Sequence, residues 1–94
     1  MTAAEFNALI HAEHRLQICA ILDTVDTASF ANLRDQVDVS ESVLSKQIKA
    51  LQDAGYVSSS KNLLEGRIRT WVKLTKAGRR AYRAHVVALR AIVG

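Results

Sequence analysis

Apolar and polar residues alternate along this chain with different periods, and each period predicts a different element. From about Ala3 to about Asp23, Phe6, Leu9, Ile10, Leu16, Ile18, Cys19, Ile21 and Leu22 follow helical spacing. They cover more than one stripe, so this helix should meet a second surface besides the core. Asp23 to Ser29 is short and polar, Phe30 fits a brief extended contact, and Leu33 and Val37 supply the inner face of a short second helix. After a turn at Asp38 and Val39, the hydroxyl of Ser40 suits an N-cap, Leu44, Ile48 and Leu51 face a core, and Gly55 offers a positive-φ stop. Tyr56 to Lys61 and Ile68 to Leu74 read as strands around a loop from Asn62 to Arg67. In the second strand Ile68, Thr70, Val72 and Leu74 alternate with Arg69, Trp71 and Lys73, so one face covers the core and the other presents cations. Thr75 then caps a helix to the C-terminus, in which Gly78, Tyr82, His85, Leu89 and Ile92 recur at coiled-coil-like spacing.

Ninety-four residues, 49% of them apolar, fit one ordered domain with a modest core that a partner subunit would help to cover. The longest apolar run, Ile18 to Leu22, is far too short to span a bilayer, and the N-terminus carries Glu5 without a basic, apolar leader pattern; no membrane association and a cytoplasmic location are expected. Cys19 is the only cysteine, so it can form no internal disulfide, and its mid-helix apolar setting suits a small buried side chain.

The net charge of +4 is unevenly spread. In residues 1–45 two cations face seven carboxylates, a balance of −5, whereas from Lys46 onward eleven cations face Asp53 and Glu65, a balance of +9. A basic second half is the electrostatic footprint of a polyanion partner.

The helix begun by Ser40 concentrates the candidate chemistry. Opposite its apolar stripe lie Ser42, Val43, Lys46, Gln47 and Lys49. Gln suits adenine, Lys suits guanine, Val43 can touch a thymine methyl, and Lys49 suits a phosphate. Ser40 can contact a phosphate while capping, and Ser45 is expected to pack against the preceding helix. In the hairpin, Lys61, Arg67 and Arg69 are placed to neutralise phosphates, and Arg79 and Arg80, near the wing on the last helix, are further candidates for DNA contact. Trp71, out of step with the core positions, is expected against a terminal helix or a partner. His11 and His14 share a helix face, and His85 should lie nearby in a dimer, but these ligands are too few for a convincing metal site. With no phosphate loop, nucleophile elbow or metal-binding helix motif, neither catalysis nor a cofactor is expected.

These residues, Leu33, Ser40-x-Ser42-x-Leu44-Ser45-x-x-Ile48-x-x-Leu51-x-x-Ala54-Gly55-Tyr56-Val57 and Gly66-Arg67-x-Arg69-Thr70-x-Val72-x-Leu74-Thr75-x-x-Gly78-Arg79, resemble the small winged-helix transcriptional regulators related to the MarR and ArsR families. The resemblance covers about residues 14–80. It implies a mainly α fold with a small β-hairpin (α+β): a winged helix-turn-helix with a three-helix core, a two-stranded wing and a long C-terminal dimerisation helix. The helix-turn-helix would occupy about 31–54, the wing about 56–74, and the terminal helices about 3–23 and 76–93.

The implied function is a non-enzymatic, sequence-specific regulator, a repressor of transcription, that binds double-stranded DNA at an inverted-repeat operator as a homodimer. DNA contacts would come from Ser40, Ser42, Val43, Lys46, Gln47, Lys49, Lys61, Arg67 and Arg69. Dimer contacts would come from Phe6, Leu9, Ile10, Tyr82, His85, Leu89 and Ile92. Two other readings are a winged-helix protein-interaction module and an effector- or metal-responsive sensor of the ArsR type with a small-molecule effector.

Overall fold

The computed structural model describes residues 5–94, so Met1 to Ala4, and with them the expected start of the first helix near Ala3, lie outside the described residues. The elements run α1 (Ala8–His11), α2 (Arg15–Leu22), β1 (Ala28–Ser29), α3 (Phe30–Val37), α4 (Glu41–Asp53), β2 (Val57–Leu64), β3 (Arg67–Leu74) and α5 (Lys76–Val93). Three antiparallel strands form one sheet in the order β1-β3-β2. This is the winged helix that the residue pattern predicts, with its wing built on a three-stranded sheet.

The single helix expected up to Asp23 is in fact two. Asn7 caps α1 by accepting from the Ile10 amide at 2.9 Å; Ala12 then turns extended, and His14 takes a positive φ of 70° before α2 starts. The reason lies in the apolar pattern. At about 100° per residue, Ile10 and Cys19 on one straight helix would project about 180° apart. The break brings both, together with Ile18 and Leu22, into the same core at 0–1% exposure. Burial pushes the Cys19 thiol up to about 12, with the Asp23 carboxylate adding to the rise, which leaves it inert as a nucleophile.

Helices α3 and α4 are bounded by local chemistry. Ser29 accepts from the Asn32 amide at 3.1 Å to start α3, so the extended pair is Ala28–Ser29 and Phe30 is already helical. Asp38, in the left-handed region at φ 59°, closes α3 in place of a glycine. Ser40 accepts from Val43 N at 3.2 Å to start α4. At its end the Gly55 amide bonds to Gln52 O and the Tyr56 amide to Leu51 O, both at 2.9 Å, around a Gly55 φ of 81°. Leu33, Leu44, Leu51 and Val72 are 0% exposed, and Val37, Ile48, Val57 and Leu74 close to it, so the inner faces of α3, α4 and the hairpin share one core.

The hairpin is longer and its turn tighter than the pattern implied. Pairing continues from Val57↔Leu74 to Leu64↔Arg67, which leaves a two-residue turn, Glu65–Gly66, with φ of 52° and 77°. Two successive positive φ values match the twist of the strands, so a short turn of this kind keeps them paired to the tip. Asn62, Leu63 and Leu64 lack β-branched residues, and their strand state comes from the cross-strand partners. Ile68, expected on the core face, is 73% exposed because the hairpin has by then run past the core.

Helix α5 is capped by Thr75, whose hydroxyl accepts from Gly78 N at 2.9 Å and donates to Gly55 O at 2.7 Å. Gly78 lies so close to Tyr56 that an added Cβ would sit 1.9 Å from the Tyr56 carbonyl oxygen. Farther along, His85 is wholly buried. Its Nδ1 accepts from the Asn7 amide at 2.9 Å, which requires the neutral ring to carry its proton on Nε2 and donate to His11 Nδ1 at 3.1 Å. Phe6 stacks edge-on against His85 with centroids 4.7 Å apart. The proximity of His11 and His85, expected across a dimer, thus occurs within one protomer.

Two predictions follow from these contacts. Gly78→Ala, which in an open helix gains up to about 1 kcal/mol, should here cost about 2 kcal/mol because backbone must move to admit the methyl; thermal unfolding should show a fall in Tm of order 10 °C. Burial, reinforced by His11, lowers the pKa of His85 below its ordinary 6.5. The unfolded chain therefore binds the proton more readily, so stability should fall as pH drops below about 6.5 and level off beneath the folded-state pKa. Urea melts at several pH values should show that slope, and His85→Leu should flatten it.

Candidate nucleic-acid interface

Because Leu44, Ile48 and Leu51 fix one face of α4 in the core, the opposite face is held rigidly toward solvent. Ser42, Lys46 and Lys49 are exposed on it. Lys49 pairs with Asp53 at 3.4 Å, a solvent-exposed contact that a stronger anion can displace at little cost. Ser40, also exposed, lies 3.3 Å from Ser42 through their hydroxyls at the helix N-terminus, where amides and dipole favour an anion. Val43 and Gln47 are half-buried on the flank away from the wing.

The other flank of α4 contains residues that spacing alone misplaced. Ser45, expected in the contact with α3, is exposed beside the wing. Gln52 donates to the Ser59 hydroxyl at 3.2 Å and bridges α4 to β2. Ser45, Gln52, Ser59, Lys61 and Thr70 line an open groove of about 330 Å³ between the helix and the hairpin. Ser45 and Gln52, seven residues apart on one side of the helix, carried the signal for this groove, but which side the hairpin folds against is not written in α4 itself.

The wing divides its cations between two faces. Lys61 lies opposite Thr70, on the face toward α4, whereas Arg69 lies opposite Asn62 and Arg67 opposite Leu64, on the other face. All three are exposed. Trp71, expected against a terminal helix or a partner, instead donates its indole N–H to Asn62 Oδ1 at 3.1 Å, so it packs along its neighbouring strand.

Two further expectations are corrected by burial and pairing. Arg79 is committed to the fold: its Nη1 donates to the Asp23 backbone oxygen at 2.8 Å and to Asp23 Oδ1 at 2.7 Å, and Arg83 Nε reaches the same carboxylate at 3.2 Å. This clamp places positive charge at the C-terminal end of α2, where the helix dipole favours it. Among the expected dimerisation residues, Ile10 and His85 are 0% exposed within the protomer and cannot form its outer surface. Leu9, Tyr82 and Leu89 are half-buried, and Phe6 and Ile92 remain open to solvent. The reason is that α5 lies over α1 and α2, and the first half of its apolar seam is used there. Among the described residues no three His, Cys, Asp or Glu side chains are grouped to hold a metal ion, and no helix is long and apolar enough to cross a membrane.

The capped helix with a polar outer face, followed by a cationic hairpin, has its counterpart in known proteins: residues 14–93 match the family described as the winged helix DNA-binding domain. The chain belongs to that family. An uncharacterised protein of Methanocaldococcus jannaschii is 27% identical over 81 residues, 86% of this chain and 84% of the relative. A transcriptional regulator homologue from Pyrococcus horikoshii superposes with a TM-score of 0.85 at 25% identity, over 90% of this chain and 84% of that one. A MarR-family transcriptional regulator from Silicibacter pomeroyi gives a TM-score of 0.69 at 30% identity over 89% of this winged-helix chain, which spans only 56% of that regulator. The fold is therefore a MarR-like winged helix, of the kind found in transcription regulators.

The two classes of cation should separate by mutation. Removing the partly exposed clamp in Arg79→Ala should cost about 1 kcal/mol of stability, read by thermal melting, and leave DNA affinity unchanged. Lys46→Ala should leave Tm unchanged and weaken DNA binding in fluorescence anisotropy.

Proposed function

We propose that this winged-helix protein is a sequence-specific transcriptional repressor that binds double-stranded DNA as a homodimer. The observation that carries this reading is the solvent-facing set Ser42, Lys46 and Lys49, held by the buried Leu44, Ile48 and Leu51 beside a hairpin bearing Lys61, Arg67 and Arg69. An α-helix fits the major groove, where Lys46 can reach guanine O6 and N7 and Ser42 either donates or accepts. Val43 and Gln47 border this set and contact the bases at its edge. Lys49, Ser40 and the wing cations neutralise phosphates and fix the register.

The homodimer is supported by apolar surface left open at both chain ends. Phe6 is 47% exposed, Ile92 68% and Val93 80%, with Leu9 and Leu89 partly covered nearby. Two-fold pairing through these elements sets two copies of α4 about 34 Å apart, one turn of DNA, and so selects an inverted repeat. Such a dimer would repress by occupying the promoter. The protein performs no chemistry in this reading, which assigns it no cofactor.

Selection from a random duplex pool, combined with size determination in solution, tests the proposal. An enriched inverted repeat bound by a dimer is the expected result; no enrichment, with only weak salt-sensitive binding, would favour a protein-interaction module. On the enriched site Lys46→Ala should relax the preference at one position per half-site at a cost of about 1–3 kcal/mol. Arg67→Ala should weaken all sequences alike and lower the slope of log K against log salt by about one. Equal behaviour of the two variants would remove the assignment of roles.

A further inference from the structure

The face of the hairpin turned away from α4 carries a second groove. Direct pairing of Ser58 with Lys73, Ser60 with Trp71 and Asn62 with Arg69 places these side chains together, on the opposite face from Ser59, Lys61 and Thr70. Trp71, Lys73, Ser58, Ser60 and Asn62 line an open cavity of about 470 Å³. Thr27, whose hydroxyl donates to Val72 O at 3.2 Å, borders it on the β1 side.

The fold does not require an indole at this place. Trp71 is half-buried and stands outside the hydrophobic core. Its N–H donates to Asn62 Oδ1 at 3.1 Å, an exposed contact that water replaces nearly as well, so the bond orients the ring more than it stabilises the sheet. The charge around the ring is of one sign. Arg69 precedes Trp71 by two residues and Lys73 follows it by two, so both share the indole's face, each about 7 Å away along the strand at about 3.3 Å per residue. Lys73 has no ion-pair partner among the described residues, and neither β2 nor β3 contains a carboxylate. Arg69 borders the groove without lining it.

We infer that this groove binds single-stranded nucleic acid, with one base stacked on Trp71 and the phosphates on either side of it held by Lys73 and Arg69. Every base has a flat face that an indole can receive, so a lone exposed tryptophan between cations makes a platform without sequence preference. The hydroxyls of Ser58 and Ser60 and the amide of Asn62 meet base edges and sugar. Cations on both sides of the ring favour a strand over a free nucleotide: an internal base lies between two phosphates, whereas a mononucleotide carries phosphate on one side only. A lining of hydroxyls and an amide, with no apolar companion for the indole, also disfavours a protein partner, whose binding energy concentrates in well-packed apolar pockets. Because the groove lies on the opposite face from α4, strand binding is independent of duplex reading.

Trp71 is the only tryptophan in the chain, so its fluorescence reports on the groove directly. Titration of the unaltered protein with an oligothymidylate of about eight nucleotides, within the usual site sizes of single-strand binders, should quench that emission saturably. An abasic oligomer of equal length and charge should leave the emission unchanged and bind about tenfold more weakly, through loss of one stacked base. With binding followed by anisotropy of a labelled strand, Trp71→Ala should weaken it about tenfold, and Trp71→Phe, which keeps a ring and a strand-forming residue, should retain most of it. Lys73→Ala should lower the slope of log K against log salt by about 0.7, and Lys46→Ala should leave strand binding unchanged. Unquenched emission, or equal binding of the abasic oligomer, would overturn the inference. Loss of strand binding in Lys46→Ala would also overturn it, by placing the strand on α4, as would saturable quenching by an acidic peptide and none by the oligonucleotide. Failure to bind any duplex, with strand binding intact, would instead sink the regulator reading alone.

Discussion

The close approach of Gly78 to the Tyr56 carbonyl is the constraint on which the arrangement of helix, wing and C-terminal helix depends. Gly55 and Tyr56 end α4 and start the hairpin; Thr75 and Gly78 end the hairpin and start α5. At this crossing the Thr75 amide donates to Tyr56 O at 3.0 Å, and the Thr75 hydroxyl serves both Gly55 and Gly78. The absence of a Cβ at Gly78 lets backbone meet backbone where α4, the hairpin and α5 come together. The Asn7 amide group adds the N-terminal segment to the same joint by donating to the Tyr56 hydroxyl at 3.0 Å. A rigid joint of this kind is what lets a groove-reading helix and a wing engage one duplex at fixed separation.

Charge in this protein performs two separate tasks that composition cannot distinguish. Arg79 and Arg83 converge on Asp23 and tie α5 to the end of α2. Lys46, Lys61, Arg67 and Arg69 have no ion-pair partner among the described residues and are free to meet phosphates. The acidic first half of the chain and the basic second half share one core, and among the described residues the ion pairs that join them are those of this staple. Lys46 and Lys49 on α4 and Lys61, Arg67, Arg69 and Lys73 on the hairpin leave further positive charge on the helix and wing surface, while Lys76, Arg80 and Arg90 lie on α5.

The interruption at Ala12–His14 resolves a conflict between local periodicity and core geometry. Keeping one helix would have left either Ile10 or Cys19 in water; breaking it costs the strain of a non-glycine residue at positive φ, offset by burial of both side chains. It also brings His11 against His85, which fixes the N-terminal segment on α5 by a hydrogen bond between neutral rings. What remains outside, Phe6 and the last turn of α5, is an apolar fringe rather than the long seam that the heptad-like spacing suggested.

Much of the fold and part of the site were legible in the residues themselves, wherever the determining interaction is local. Ser40, Thr75 and Gly55 mark helix ends because a hydroxyl or a positive φ acts within four residues, and Leu44, Ile48 and Leu51 mark a buried face because helical geometry repeats. From these the winged helix and the outward position of Ser42, Lys46 and Lys49 followed. Other features depend on partners distant along the chain. Whether Arg79 meets a phosphate or Asp23, 56 residues away, is decided by where α5 lies on α2. Whether Ser45 faces α3 or the wing, and whether Ile10 and His85 cover a partner or fill their own core, depends on which elements pack together. Helical period fixes the direction of a side chain about its own axis, and only the tertiary structure supplies what stands in that direction.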